Sequence, residues 1–439
     1  MSTPWIQTAL AQTPLVPERA ETSFVSPLAP YASVFVVALL VSIIATPLMR
    51  KLAATHGVVD WPDLKRKNHA RPVAYLGGVA ILLGWIAGIM VSYTVNPQWV
   101  SSGSPTLQLE SFPLSILIGA GVITCIGLYD DVYGTTARVK IGGQLFATAA
   151  LTWDRIGINL TEQLFGLVGL APPDSVIYMS ATLLVALFVL GGCNAVNLID
   201  GLDGLASGVV VIAMVGFLAI ALLVNFYPND PQAILDNPKR IILCLAAIGA
   251  ILGFLPYNFN PASIFMGDAG SLLLGFLSVS AILLFGDAGG YSLKLVTAAL
   301  IVFAVPITDT SLAIVRRKLR GQPIFSPDNQ HLHHLLRKTG LTVKQSVSVM
   351  YAAAIVFGLI GVGTVAFQLQ WRYSLAIVFV IYGLIMVAAF RYGAYCIALE
   401  RLAKTPISDA SPPLPVRPST PKAAPPDDPP LASPARQQP

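Results

Sequence analysis

Charge is what this sequence is short of. Only 11% of its 439 residues are Asp, Glu, Lys or Arg and 55% are hydrophobic, whereas roughly a quarter of a water-soluble chain is charged. That shortage excludes the soluble protein of two or three domains that length alone would suggest. With a mean hydropathy of +0.70, most of the chain belongs in lipid. Cysteine is scarce as well. Cys125, Cys193, Cys244 and Cys396 lie far apart with no Cys-x-x-Cys pair, which argues against a disulfide framework or thiolate metal site and leaves packed free thiols. The net charge is only +5, with no basic patch interleaved with aromatics, so no nucleic-acid partner is expected. Residues 1–30 have neither a basic start nor a long apolar run. A cleaved signal peptide is therefore not expected, and the first span should act as an uncleaved anchor.

Apolar runs are abundant. Eleven segments approach the length of a membrane span: 32–49, 74–94, 113–129, 140–153, 174–192, 205–226, 240–257, 269–285, 292–313, 346–367 and 373–396. The segment 140–153 is the shortest, running from Lys140 to just before Asp154. The expected fold class is an all-α integral membrane protein, a polytopic bundle of about 10–11 transmembrane helices, because only helices satisfy their own backbone in a lipid-exposed span of this kind. Lys and Arg crowd the loops 50–73 and 314–345 and are absent from 95–112, so the first two are placed in the cytoplasm. That puts the N-terminus outside and the C-terminus inside, although Lys239 and Arg240 then end an outer loop. Three regions result: an external segment 1–30, a multi-span catalytic domain 31–400, and a tail 401–439. From Pro406 to Pro439, twelve of 34 residues are proline, a composition that cannot build a core and reads as a disordered cytoplasmic extension.

The polar residues share one side of this alternation, although their clustering was not used to set it. The inside loops hold Asp130-Asp131, then Asn194, Asn197, Asp200 and Asp203, then Asp268, then His331, His333 and His334; all five histidines, His56 and His69 included, fall in the first or last of these loops. Adjacent carboxylates at the end of a helix are costly, and a divalent cation or a shared proton relieves the cost; a solvated loop start is the plainer explanation. The stretch Asn194-Ala-Val-Asn-Leu-Ile-Asp-Gly-Leu-Asp-Gly204 spaces two amides and two carboxylates three apart. In a helix all four share a face, whereas a polar turn also favours Asn, Asp and Gly. Asp268 stands where it can cap the next helix, or hold a metal beside a phosphate-binding helix start. His331 and His334 share a helix face beside Arg337 and Lys338. Zinc lacks a completing ligand there, so imidazoles on phosphate fit better than a metal centre, and a solvated basic loop is the plain alternative.

Hard oxygen ligands at the membrane surface suit Mg²⁺, which takes one or two carboxylates and leaves positions for water and substrate phosphates. Such an ion neutralises a diphosphate leaving group, and phosphoryl transfer otherwise needs in-line positioning and cationic side chains.

In these motifs the chain resembles the polyprenyl-phosphate N-acetylhexosamine-1-phosphate transferases, the glycosyltransferase 4 family that includes the phospho-N-acetylmuramoyl-pentapeptide transferases. The likeness covers roughly residues 30–395. It rests on Asp130-Asp131, Asn194 to Leu205, Met266-Gly-Asp-Ala-Gly-Ser271 and His331-Leu-His-His334, in that order. Asp60-Trp-Pro62, Arg66-Lys-Asn-His69, Gly77-Gly78, Lys140 and Gln144 also look like family positions. The resemblance implies transfer of a sugar-1-phosphate from a UDP-N-acetylhexosamine to a polyprenyl (undecaprenyl) phosphate, with UMP released, as a first membrane step in cell-envelope polysaccharide synthesis. It implies Asp268 and Asp200 as ligands of Mg²⁺, with Mn²⁺ as a substitute. It places Asp130 or Asp131 near the lipid phosphate, as base or as nucleophile. Lys140, Asn194, Asn197, Asp200, Asp203, His331, His333, His334 and His69 fall around the substrates. The His-Leu-His-His form resembles the N-acetylglucosamine branch. The implied setting is the inner (plasma) membrane with the site facing the cytoplasm, and a homodimer is compatible with it. The fifth position counted from Asp130 is Gly134 rather than a third acid, and the first inside loop carries one extra residue before Arg66.

Two rivals remain. CDP-alcohol phosphotransferases need an arginine after the first Asp-Gly, and Asp203-Gly-Leu-Ala-Ser-Gly208 has none. A cation or solute transporter would carry its acids near the bilayer midplane, with broken helices in symmetric halves, and no such pattern is visible in the sequence.

Overall fold

The computed structural model describes residues 28–61, 72–95, 112–226, 237–319, 321 and 331–404. All but residues 28–30 of the proposed external segment, almost all of the proline-rich tail, and Arg66, Lys67 and His69 lie outside the described residues. The chain divides into a unit of residues 1–387 and a second of 388–439, within which 388–404 are helical.

Each apolar run forms a helix. They are α1 (Ala32–Thr55), α2 (Gly77–Val95), α3 (Leu114–Tyr133), α4 (Ala137–Trp153), a short α5 (Ile158–Leu167), α6 (Asp174–Ile199), α7 (Leu205–Val224), α8 (Asn237–Asn258), α9 (Gly267–Phe285), α10 (Ser292–Val302), α11 (Ala304–Leu319), a short α12 (Leu332–Lys338), α13 (Val343–Ala366) and α14 (Trp371–Lys404). Among the described residues, eight helices are long and apolar enough to cross a membrane. The expected span 292–313 is not one rod but two helices, α10 and α11, bent by 73° at Phe303. Helix α4 has only 17 residues, about 26 Å at 1.5 Å per residue, a little short of the hydrocarbon thickness. The apolar part of α14 is also short, Trp371–Leu384. The chain is a polytopic, mainly helical membrane protein; among the described residues eight helices, or nine with the bent pair taken as one span, are long and apolar enough to cross, where about 10–11 were expected, because α4 and the apolar part of α14 fall short.

Hydroxyls inside these helices donate back to carbonyls one turn earlier. Thr46 does so to Ser42, Thr124 to Ala120 and Ser278 to Leu274, at 2.7–2.8 Å. Their buried hydroxyls are thereby not left unpaired.

Helix α9 is the centre. Every residue from Ala269 to Phe285 is buried, as expected of a helix that is apolar on all sides, and α2, α3, α6, α7, α8 and α10 pack on it. Two antiparallel strands, β1 (Val59–Asp60) and β2 (Val73–Ala74), cover one end of the bundle. Phe265 donates to Ala74 at 2.8 Å, and Gly77 and Gly78 donate to Phe265 and Met266 at 3.0 Å. The start of α2 is thereby fastened to the loop before α9.

Glycine sets the approach of α3. A methyl group on Gly127 would lie 2.5 Å from the Ala269 backbone, whereas one on Gly121 of the same helix meets nothing within 4 Å. Gly127→Ala is therefore expected to destabilise the protein by about 1–3 kcal/mol through overpacking, and Gly121→Ala to be neutral or slightly stabilising. Thermal denaturation of both variants in detergent checks this; equal midpoints would refute close packing of α3 on α9.

Candidate active site

The first amides of a helix have no partner within it. In α9 the preceding residue, Met266, supplies no side-chain cap. The cap comes from α3: Oδ1 of Asp131 accepts the Asp268 N–H at 2.7 Å, and Oδ2 accepts the Ala269 N–H at 3.0 Å. Gly267 turns the chain into the helix with φ +66°, where an added Cβ would strike the Asp131 carboxylate. Asp268 is thus not the cap that its position allowed, because Asp131 fills that role.

The Asp268 carboxylate is consequently available to other groups. Lys140, from the first turn of α4, donates to its Oδ2, and Asn197, near the end of α6, donates to its Oδ1 at 2.9 Å. Asn197 also donates to Ser271 at 2.9 Å. The same Lys140 ammonium pairs with Asp130 at 2.6 Å. Asp130 is held in turn by the backbone N–H and hydroxyl of Thr135, at 2.7 and 2.5 Å. One lysine thus joins the carboxylates of two helices that are far apart in sequence.

Asn194, Asn197, Asp200 and Asp203 do not all share a helix face, because α6 ends at Ile199 and Asp200 begins a turn. Asn194 points away from the acids, to Gln144 and to the Leu190 carbonyl, at 3.1 and 2.7 Å; it ties α6 to α4. Asp203 accepts from Asn260 and the Ala262 N–H at 2.8 and 3.0 Å, which anchors the loop before α9. Asp200 is different: among the described residues no hydrogen bond to its carboxylate is formed. Burial, with Asp268, Asp131 and Asp203 nearby, pushes its pKa up to about 8.

These groups open on a cavity of about 400 Å³. Asp131, Asn197, Asp200, Asp203, Asp268 and His334 all line it. Asp60 and Tyr75, from the β1–β2 cover, and Asn258 and Phe265 line it as well. Asp60 was noted only as a motif position, and Tyr75 carried no local signal, since only the strand pairing brings it to the acids.

The histidines arrive on α12. His334 reaches the cavity. His333 is buried, and a Cβ on Gly201 would fall on its ring, so the Gly201 position requires glycine for space. Burial lowers the His333 pKa to about 4, leaving a neutral ring at physiological pH. His331 is buried beside Asp309, to which Nδ1 bonds at 2.8 Å. Asp309 was missed because it sits within what read as an unbroken apolar span.

Among the described residues, no three Asp, Glu, His or Cys side chains converge as a ready metal cage. What is present is a cluster of hard oxygen donors around a single ammonium.

Residues 113–286, which contain α3 to α9 and their acids, match the model of glycosyl transferase family 4. A protein of Bacillus subtilis (strain 168), named as a probable undecaprenyl-phosphate N-acetylglucosaminyl 1-phosphate transferase, is 36% identical over 332 residues, 74% of this chain and 82% of that one. This chain belongs to glycosyl transferase family 4. The decaprenyl-phosphate N-acetylglucosaminephosphotransferase of Mycobacterium tuberculosis (strain ATCC 25618 / H37Rv) is 33% identical, over 74% of this chain and 80% of its own. The undecaprenyl-phosphate alpha-N-acetylglucosaminyl 1-phosphate transferase of Salmonella typhi is 31% identical, over 80% and 86%. For this family 4 chain, the acids and amides on α3, α6 and α9 fall within the matched segment, and the histidine helix lies beyond it.

If Asp131 caps α9, Asp131→Ala should lower stability by about 1–2 kcal/mol, and Asp131→Asn by less, because the amide keeps one acceptor. Thermal denaturation measures both; a fully stable Asp131→Ala variant would show that α9 does not depend on the cap.

Proposed function

We propose that this membrane enzyme transfers N-acetylglucosamine-1-phosphate from UDP-N-acetylglucosamine to a polyprenyl phosphate, releasing UMP, at the cytoplasmic face of the plasma membrane. The observation that carries the reading is Lys140 bridging Asp130 and Asp268, the latter lining a cavity together with Asp131, Asn197 and Asp200. These groups come from the ends of α3, α4, α6 and α9, so they meet where a lipid headgroup and a water-soluble nucleotide can both arrive. The family relatives, named for N-acetylglucosamine-phosphate transfer to undecaprenyl or decaprenyl phosphate, support the sugar and the lipid class.

The donor set suits a hard divalent cation. Asp200 lacks a partner among the described residues and lies close to Asp268 in charge terms, and Mg²⁺ needs only one or two carboxylates when phosphates complete its shell. Asp268 and Asp200 would hold Mg²⁺, whose contribution is to neutralise the diphosphate of the donor. Asn197 keeps Asp268 turned to the cavity. Lys140 is released from its two carboxylates to meet phosphate oxygens, and His334 adds a donor from the opposite wall. Both Asp131 oxygens already accept backbone amides, which supports a positioning role for Asp131 and direct attack by the lipid. An oxygen of the polyprenyl phosphate forms a bond to the phosphorus that bears the sugar. The bond from that phosphorus to the bridging oxygen breaks, and UMP leaves with the electron pair.

A transporter reading has less support, since the acids lie at helix ends and the bend at Phe303 is the only paired break among the described spans.

The purified chain, supplied with polyprenyl phosphate, Mg²⁺ and a panel of UDP-sugars, is expected to release UMP, fastest with UDP-N-acetylglucosamine. Asp268→Asn should lower the rate by about 10³-fold or more with the denaturation midpoint preserved. Metal-independent turnover, or a near-normal rate for the folded variant, would refute the assignment.

A further inference from the structure

Asp309 has no place in the chemistry above, and it is fully buried. It lies in α11, within two turns of the bend at Phe303. A buried carboxylate persists only when its oxygens are satisfied. Here both are. Oδ2 pairs with Nδ1 of His331 at 2.8 Å, and Oδ1 accepts the N–H of Leu332 at 2.7 Å. An ionised carboxylate only accepts, so Nδ1 of His331 carries a proton. The other two histidine rings pack beyond this pair. The His333 ring lies parallel to that of His331, with centroids 5.8 Å apart, and the His334 ring is 4.2 Å from that of His333. His333 packs over Gly201, beside Asp200, and His334 lines the cavity.

We infer that Asp309 is a positioning residue for the transfer reaction. It holds His331 with Nδ1 protonated and, through the ring contacts, sets His333 against Gly201 and His334 at the cavity wall. It touches no substrate itself. The group it serves is anionic, because α12 brings His334 to the cavity and carries Arg337 and Lys338 in its next turn. That matches a phosphate group; both substrates bring one, and the inference assigns α12 to the diphosphate of the nucleotide donor, so that a raised KM for polyprenyl phosphate alone would overturn it. The inference rests on the transfer reading given above.

Asp309→Asn keeps the shape, but its amide offers a donor to Nδ1 and favours the opposite tautomer. The variant is expected to lower kcat for UMP release at least about tenfold and to raise KM for UDP-N-acetylglucosamine, with KM for polyprenyl phosphate unchanged. Two readouts separate positioning from simple destabilisation. The first is a double-mutant cycle with His331→Gln: if Asp309 acts through His331, the double variant is no slower than the slower single one, whereas multiplied losses would overturn the inference. The second is ¹⁵N NMR of imidazole-labelled protein. The wild type should show His331 protonated at Nδ1, and a bare Nδ1 in the wild type would overturn the inference even if Asp309→Asn fails to fold. Wild-type kinetics in the folded Asp309→Asn variant would overturn it as well. Failure of the wild type itself to release UMP from any UDP-sugar would instead overturn the transfer reading on which it stands.

Discussion

The constraint on which the rest depends is that a fully buried helix must begin somewhere, and its first amides need an acceptor. In α9 that acceptor is a carboxylate borrowed from α3. The Asp131 contacts to the amides of Asp268 and Ala269 register two helices at the one level where both reach the surface of the bundle. Everything polar nearby follows from that register. Asp130, next to Asp131, is brought to the same edge. Asp268, relieved of capping its own helix, turns its side chain to Lys140 and Asn197. The partial positive charge at the start of α9 then favours the anionic groups gathered around it.

Concentrating carboxylates this way needs a countercharge. Lys140 provides it between Asp130 and Asp268, and backbone amides provide it for Asp131. Asp200 receives no such help within the described residues, and burial, with other acids nearby, raises its proton affinity. A site that crowds carboxylates around one ammonium is suited to admitting one further cation together with an anionic substrate. Ionised groups cost about 2.5–3.5 kcal/mol each at the middle of a span on insertion scales, and placement at helix ends avoids most of that cost.

Much of this was legible in the sequence because lipid enforces a simple code. Apolar runs of span length become helices, and loop alternation puts Asp131, Asn197, Asp200, Asp268 and His334 on one side, where they line one cavity. What was not legible depends on register between helices. Asn194 keeps the same three-residue spacing as Asn197, yet it faces Gln144, because the rotation of α6 against α4 is set by packing rather than by spacing. Asp203 looked equivalent to Asp200 but is absorbed by Asn260 and Ala262. The bend at Phe303 did have a sign in Pro306, which offers no N–H to the Val302 carbonyl four residues earlier, but the apolar run around it read as one span, and Asp309 was concealed by its apolar neighbours.

The two walls of the cavity are held by different means. The acidic wall belongs to the bundle core. Its side chains project from α3, α6 and α9, which press together through Gly127, Gly192 and Gly275, where added methyl groups would collide with facing helices. The histidine wall stands on a helix of seven residues, too short to be stable on its own. Its first residues are fixed by a buried ion-accepting group on α11, and its rings rest on the turn after α6. That turn contains Asp200, so the order of α12 and the placement of the unpaired acid are physically linked through Gly201. The bend between α10 and α11 is what makes the link geometrically available. It redirects the second half of a broken span, so that a carboxylate beyond the break meets the head of α12 at the same end of the bundle as Asp131 and Asp268.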